Sequence, residues 1–182
     1  MIVQMPLIIA LIVSAALSGT APAAQAQGQG TSTAPAQTRA IQPEEFLRLA
    51  YSSATLQGQA AKLAANRETR PEVRSFAASA ADFRLGLLQK IEAFAKERSL
   101  PLPSVKEFEH KVIIENLEPL DYLALSRRYA EIQVQAIGQE IGIYQAAARS
   151  PSAEIKAFAE QVLPELQRQQ EGAQKMYEAV RP

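Results

Sequence analysis

The chain has 182 residues, enough for one domain with extensions, and 19 Lys and Arg balance 19 Asp and Glu. Zero formal net charge argues against a nucleic-acid partner, which calls for a basic face, and gives no electrostatic pull towards an anionic membrane. The lack of any cysteine excludes disulfides, iron–sulfur clusters, zinc–thiolate sites, cysteine nucleophiles and a cysteine-borne lipid anchor, and the single histidine, His110, cannot alone build a His-based metal site.

Residues 6–17, PLIIALIVSAAL, form an apolar run too short for a comfortable transmembrane helix, which takes about 20 residues. Small residues follow, and Ala24-Gln25-Ala26 fits an A-x-A cleavage signal, so residues 1–26 read as a signal peptide cut after Ala26. No Lys or Arg precedes the run, and the first charged side chain is Arg39. The alternative is therefore an uncleaved anchor. Residues 27–42 are rich in Gln, Gly, Ser, Thr, Ala and Pro and read as a flexible leader.

Prolines punctuate the remainder, residues 43–182, into a helical domain. Pro43, Pro71, Pro119 and Pro151 each suit a first helical turn, where a missing N–H is not needed. Ser150 is a candidate N-cap, and Thr69 lies near the second start. Glu44, Glu45, Glu72 and Glu154 complement the positive end of the helix dipole.

Apolar spacing predicts four long helices. The first, over about 43–66, carries Phe46, Leu49, Ser53, Leu56, Ala60 and Leu63. The second, over about 71–98, carries Phe76, Ala80, Phe83, Leu87, Ile91 and Phe94. The third, over about 119–148, carries Ala130, Val134, Ile137, Ile141, Tyr144 and Ala148. The fourth, over about 151–180, carries Ile155, Phe158, Val162, Leu166, Gln169, Ala173, Met176 and Val180. Pro164 removes one backbone bond from the fourth and predicts a kink in a continuing helix. Between the second and third, residues 100–103 must be extended, and residues 104–115 suit a short helix. So long a link permits a crossover as in ferritin-like topologies; an up-down-up-down arrangement with an excursion is equally open.

Three groups of segments carry a family resemblance. They are Lys62-Leu63-Ala64 with Pro71-Glu72-Val73-Arg74-Ser75-Phe76-Ala77; Asp82-Phe83 leading to Leu100-Pro101-Leu102-Pro103; and Glu154-Ile155-Lys156-Ala157-Phe158-Ala159 with Leu163-Pro164-Glu165-Leu166. Together they resemble exported bacterial ferritin-like four-helix-bundle proteins catalogued as a domain of unknown function and often labelled "predicted outer membrane protein", over roughly residues 46–177. The resemblance implies an all-α, ferritin-like four-helix bundle with a long linker between the second and third helices. It also implies inward histidines where this chain has Phe83, Ile137 and Gln169, and a glutamate at Gln57. Of those polar positions Asp82 remains. A buried imidazole without ligand or partner costs roughly 1–3 kcal/mol, whereas a buried Phe contributes roughly 1.5–3 kcal/mol. The substitutions therefore read as a metal site converted to packed core.

Asp82 is expected to bond a neighbour, such as Arg84, at the surface. Gln57 and Gln169 either bond each other across the core or Gln169 leans to solvent beside Gln170. His110, near Glu107, is expected to be a solvated linker residue. A carboxylate metal site would have to draw on Asp82, Glu92, Glu131, Glu140 and Glu165, but no Glu-x-x-His pair occurs. Tyr51, Tyr122, Tyr129, Tyr144 and Tyr177 are expected at the core edge with their hydroxyls in water. Arg127-Arg128 is expected on a solvated face.

No Ser/His/Asp set, phosphate loop or nucleotide fingerprint is present. No enzyme activity, catalytic residue, bound metal or cofactor is expected. The sequence reads as a periplasmic, non-catalytic helical protein of interaction or envelope-stress type. Its expected partners are a second copy, through Ala-rich surfaces such as Ala146-Ala147-Ala148, or another envelope protein. No nucleic acid and no membrane span after cleavage are expected. The alternative is a metal-dependent ferritin-like oxidase or metal-storage protein.

Overall fold

Four long helices and one short one account for the ordered secondary structure of the computed structural model, which describes residues 40–67, 69–103 and 108–182. They are α1 (Pro43–Asn66), α2 (Pro71–Glu97), α3 (Phe108–Leu117), α4 (Tyr122–Ala147) and α5 (Ala153–Val180). No strand occurs among the described residues. The expected signal peptide and most of the expected leader, residues 1–39, lie outside them. Residues 40–42 belong to the fold: Ile41 is buried in the core, and its carbonyl accepts from Ser150 Oγ at 3.5 Å.

Prolines open α1 and α2 as the pattern predicts, but not α4 and α5. Pro119 falls in the turn after α3, and α4 begins at Tyr122 behind Asp121. Pro151 lies in a bend, since the residue before a proline is pushed out of the helical region. Ser152, rather than Ser150, is the N-cap of α5, with its hydroxyl accepting from Ile155 N at 3.4 Å. Thr69 is buried and donates to the Ala64 carbonyl at 3.1 Å, closing the end of α1. Helix α5 runs through Pro164 without interruption. The carbonyl that this proline leaves without its helical donor belongs to Glu160, which is exposed.

Each long helix lies against two others: α1 against α2 and α4, α5 against α4 and α2. Contacts at the ends set the directions. Arg67 Nη1 and Nη2, past the end of α1, donate to the Glu118 and Leu120 carbonyls (3.0 and 3.1 Å), just before α4. At the opposite end Phe94 of α2 meets Phe158 of α5, ring centres 4.8 Å apart, and Arg98 Nε reaches Glu154 at 2.8 Å. Arg127, rather than standing free, donates to the Val180 carbonyl at 3.0 Å where α5 ends. Neighbours are thus antiparallel, while α2 and α4 run parallel. The segment that joins them, carrying α3, connects opposite ends and lays α3 against α1 and α4. On the α2–α5 seam Gly172 permits close approach, since a Cβ there would sit 3.0 Å from the Phe76 ring.

The buried stripes keep Phe46 and Ala60 of α1, Ala80, Leu87, Ile91 and Phe94 of α2, and Ala130, Ile137 and Tyr144 of α4 as expected, and depart from the expected positions elsewhere. In α1 the interior is Phe46, Leu47, Ala50, Ala54, Gln57, Gly58, Ala60, Ala61 and Ala64, with Leu49, Ser53, Leu56 and Leu63 half-buried. In α2 it is Val73, Ala77, Ala80, Arg84, Leu87, Ile91 and Phe94, and Phe83 is half-buried beside it. In α4 it is Leu125, Ser126, Tyr129, Ala130, Gln133, Ile137, Glu140, Tyr144 and Ala147, with Val134, Ile141 and Ala148 half-buried. Only α5 matches residue for residue. The stretch Ala146-Ala147-Ala148 is not an exposed face, because Ala147 is fully buried and its neighbours pack on the core.

Helix α2 ends in a full Schellman motif. Leu100 N–H bonds the Ala95 carbonyl (2.9 Å), and Ser99 N–H bonds that of Lys96 (3.2 Å). Ser99 takes the left-handed conformation, φ 52°, that this motif needs and that glycine adopts without a Cβ penalty. Ser99→Gly is therefore expected to stabilise the fold by roughly 0.5–1 kcal/mol, the left-handed cost relieved less the extra chain entropy of glycine. Urea denaturation reads this directly, and a loss of stability would show that the Ser99 side chain itself holds the turn.

Candidate functional site

At mid-height the core changes character. Two apolar clusters occupy the two ends, one around Phe46, Ile91, Tyr144, Phe158 and Leu166, the other around Ala61, Val73, Tyr129, Leu125 and Met176. Between them three polar side chains converge from three helices: Gln57 of α1, Arg84 of α2 and Glu140 of α4, exposed by 2%, 1% and 0%. Among the described residues, Arg84 and Glu140 are the only buried side chains of Lys, Arg, Asp or Glu type.

Their hydrogen bonds form a closed triangle. Arg84 Nη1 donates to Glu140 Oε2 at 2.6 Å, and Nη2 donates to Gln57 Oε1 at 2.7 Å. Gln57 Nε2 donates to the same Glu140 oxygen at 2.9 Å and to Ser53 Oγ at 2.8 Å. Taking either charge from water alone would cost several kcal/mol, so each is tolerable here only through the other. Gly58 admits the arginine, for a Cβ there would stand 3.3 Å from Arg84 Cβ. The guanidinium carbon also lies 5.0 Å from the centre of the Phe83 ring.

Helix α4 carries the layer on one buried stripe that runs from Tyr129 in one apolar cluster through Gln133, Ile137 and Glu140 to Tyr144 in the other. Ile137 belongs to neither apolar cluster and sits between them. Burial pushes both tyrosine hydroxyls well above their ordinary value. The Glu140 charge adds to the effect at Tyr144, and the Arg84 charge opposes it at both. The expectation of core-edge hydroxyls thus fails for these two: each is fully buried. Tyr51 is half-buried and donates to Glu92 at 3.2 Å, while Tyr122 is exposed.

The other candidate residues do not assemble here. Asp82 is exposed and lines a surface cleft of about 420 Å³ between α2 and α5 with Phe83, Lys90, Glu165 and Arg168. It does not partner Arg84, whose side chain points inward. Glu165 pairs with Arg168, whose hydrogen bond, followed by that of Gln169, holds the Glu165 carboxyl below its ordinary value against the effect of burial. Gln169 donates to Glu165 at 3.3 Å on its own helix and does not meet Gln57. Glu131 pairs with Arg128 at the surface. His110 is buried rather than solvated, with Nε2 2.8 Å from Ser52 Oγ, because α3 folds onto α1.

Among the described residues no group of three or more His, Cys, Asp or Glu side chains comes together as a metal set. The central cluster does not fit a metal ion either. Its one carboxylate is already committed to Arg84, and the guanidinium would repel a second cation.

The profile of a family described as a domain of unknown function (DUF4142) matches residues 25–176, and the chain belongs to that family. No curated protein and no solved structure matches the chain.

Removing one partner of the central pair, by Arg84→Ala or Glu140→Ala, is expected to cost about 3–5 kcal/mol, because the other charge stays buried. The double replacement Arg84→Met with Glu140→Leu is expected to fall far short of the summed single costs. A denaturation cycle measures this, and simple additivity would disprove the coupling.

The tyrosines give a pH signature. A hydroxyl whose pKa is raised in the fold contributes stability that is fully present below its unfolded value, 10.0, and is lost as pH rises further. Stability is expected to hold up to about pH 10 and then fall by up to about 1.4 kcal/mol per pH unit for each of the two buried tyrosines. Tyrosinate absorbance followed alongside circular dichroism tests this. Ionisation of every tyrosine near pH 10 with the fold intact would contradict it.

Proposed function

We propose that this chain is an exported, non-catalytic member of its family, a ferritin-like four-helix bundle with a long linker between the second and third long helices. In this reading residues 1–26 are a signal peptide, the mature protein is periplasmic, and it works through its exposed helical faces in protein interaction or envelope stress. Its partner is a second copy or another envelope protein. Two antiparallel helix pairs joined by a connection spanning opposite ends support the ferritin-like assignment. No helix of the described residues is long and apolar enough to cross a membrane, which accords with a chain that keeps no span after cleavage.

The observation that carries the non-catalytic reading is the Arg84–Glu140 pair at the centre of the core. A ferritin-like oxidase or store needs inward carboxylates and imidazoles free to bind metal. Here the inward carboxylate is neutralised by a fixed protein cation, and Ile137 and half-buried Phe83 stand where the family resemblance implies histidines.

Protein purified from the periplasm without chelators is expected to carry far less than one Fe, Mn, Zn or Cu per chain on elemental analysis. One or two bound ions per chain would overturn the reading in favour of a metal-dependent oxidase or store. Sequencing the mature N-terminus is expected to start at Gln27; an intact Met1 would point to a retained anchor.

A further inference from the structure

The hydrogen bonds around Arg84 and Glu140 satisfy only part of the polar layer. Five of its buried atoms have no hydrogen-bond partner among the described residues: Arg84 Nε, Glu140 Oε1, Tyr129 OH, Gln133 Nε2 and Tyr144 OH. Four of these side chains share the inward stripe of α4, and the fifth is the arginine that α4 grips. Both tyrosines lie within electrostatic reach of that arginine. Leaving such groups unmet in a folded interior is costly, most of all for the charged ones. Folded proteins rarely carry so many along one helix face.

The chemistry of the set selects what would satisfy it. Arg84 Nε and the Gln133 amide nitrogen can only donate, Glu140 Oε1 as a carboxylate can only accept, and the two phenols do either. A metal cation cannot serve the donors, and an anion cannot serve the carboxylate. A species that both donates and accepts serves all five. We propose that the core of this protein is a hydrated site, holding ordered internal water against the Arg84–Glu140 pair. At roughly three hydrogen bonds per buried water, five groups correspond to about two molecules. The site makes water a structural component of the ion pair.

Magnetic relaxation dispersion of solvent deuterium and oxygen-17 on the full folded chain tests this. The expected result is a dispersion from about two long-lived waters per chain, which the Arg84→Met with Glu140→Leu replacement reduces by at least half. No dispersion in the wild-type protein would overturn the proposal, as would an undiminished one in the double variant. Should that variant fail to fold, a high-resolution crystal structure decides. Solvent density bonded to Glu140 Oε1 or Arg84 Nε supports the site. Direct pairing among the five groups, or density for a larger solute, rejects it.

Discussion

A carboxylate and a guanidinium taken out of water must find each other, and in this protein they do so across two helices that are not consecutive in the chain. Glu140 of α4 can neutralise Arg84 of α2 only if the two helices are in one register, because a slip of one turn, about 5.4 Å, would leave both charges unpaired. Gln57 extends the constraint to α1 by donating to the carboxylate while accepting from the arginine. Three of the four long helices are thereby fixed relative to one another at a single level. Helix α5 contributes no hydrogen bond to the triangle and is positioned by apolar packing, chiefly on α4.

The same layer explains why the interior is two apolar clusters rather than one. Above it the core is aromatic, with Phe46 edge-on to Tyr144 at 5.1 Å and Phe94 against Phe158. Below it α1 and α2 offer chiefly alanines, Ala60, Ala61, Ala64, Ala77 and Ala80. Small side chains bring helices close, and in the middle of the α1–α2 contact Gly58 continues this, leaving room for the arginine to turn inward. The alanine-rich lower half of the α1–α2 contact, the aromatic group at the other end and the polar plate between them follow from which residue each stripe carries at each turn.

Helix number, helix type and most boundaries were legible in the sequence, because proline placement and three-and-four spacing report local geometry. The interior faces were less so, for one reason. Placing every charged residue outward displaces a stripe wherever such a side chain is truly buried. In α2, Val73, Ala77, Ala80, Arg84, Leu87, Ile91 and Phe94 alternate steps of four and three without a break, and only an assumption that arginine faces water moves the stripe to Phe83. In α4, Gln133, Ile137, Glu140 and Tyr144 follow the same steps. One arginine and one glutamate, each seated on an otherwise regular inward stripe, are the signal that would have found the pair. His110 carried no such signal, since the docking of α3 on α1 is a tertiary contact.

What the layer can do chemically follows from its charge. A bundle interior that holds a metal collects negative or neutral donors and leaves the positive charge to the ion. Here the positive charge is covalent. Glu140 is held by two donors on one oxygen. Both partners are fixed by the same triangle, which suits an internal brace. Such a brace is neutral overall, so it sets helix register without giving the body an internal field that would draw ions in.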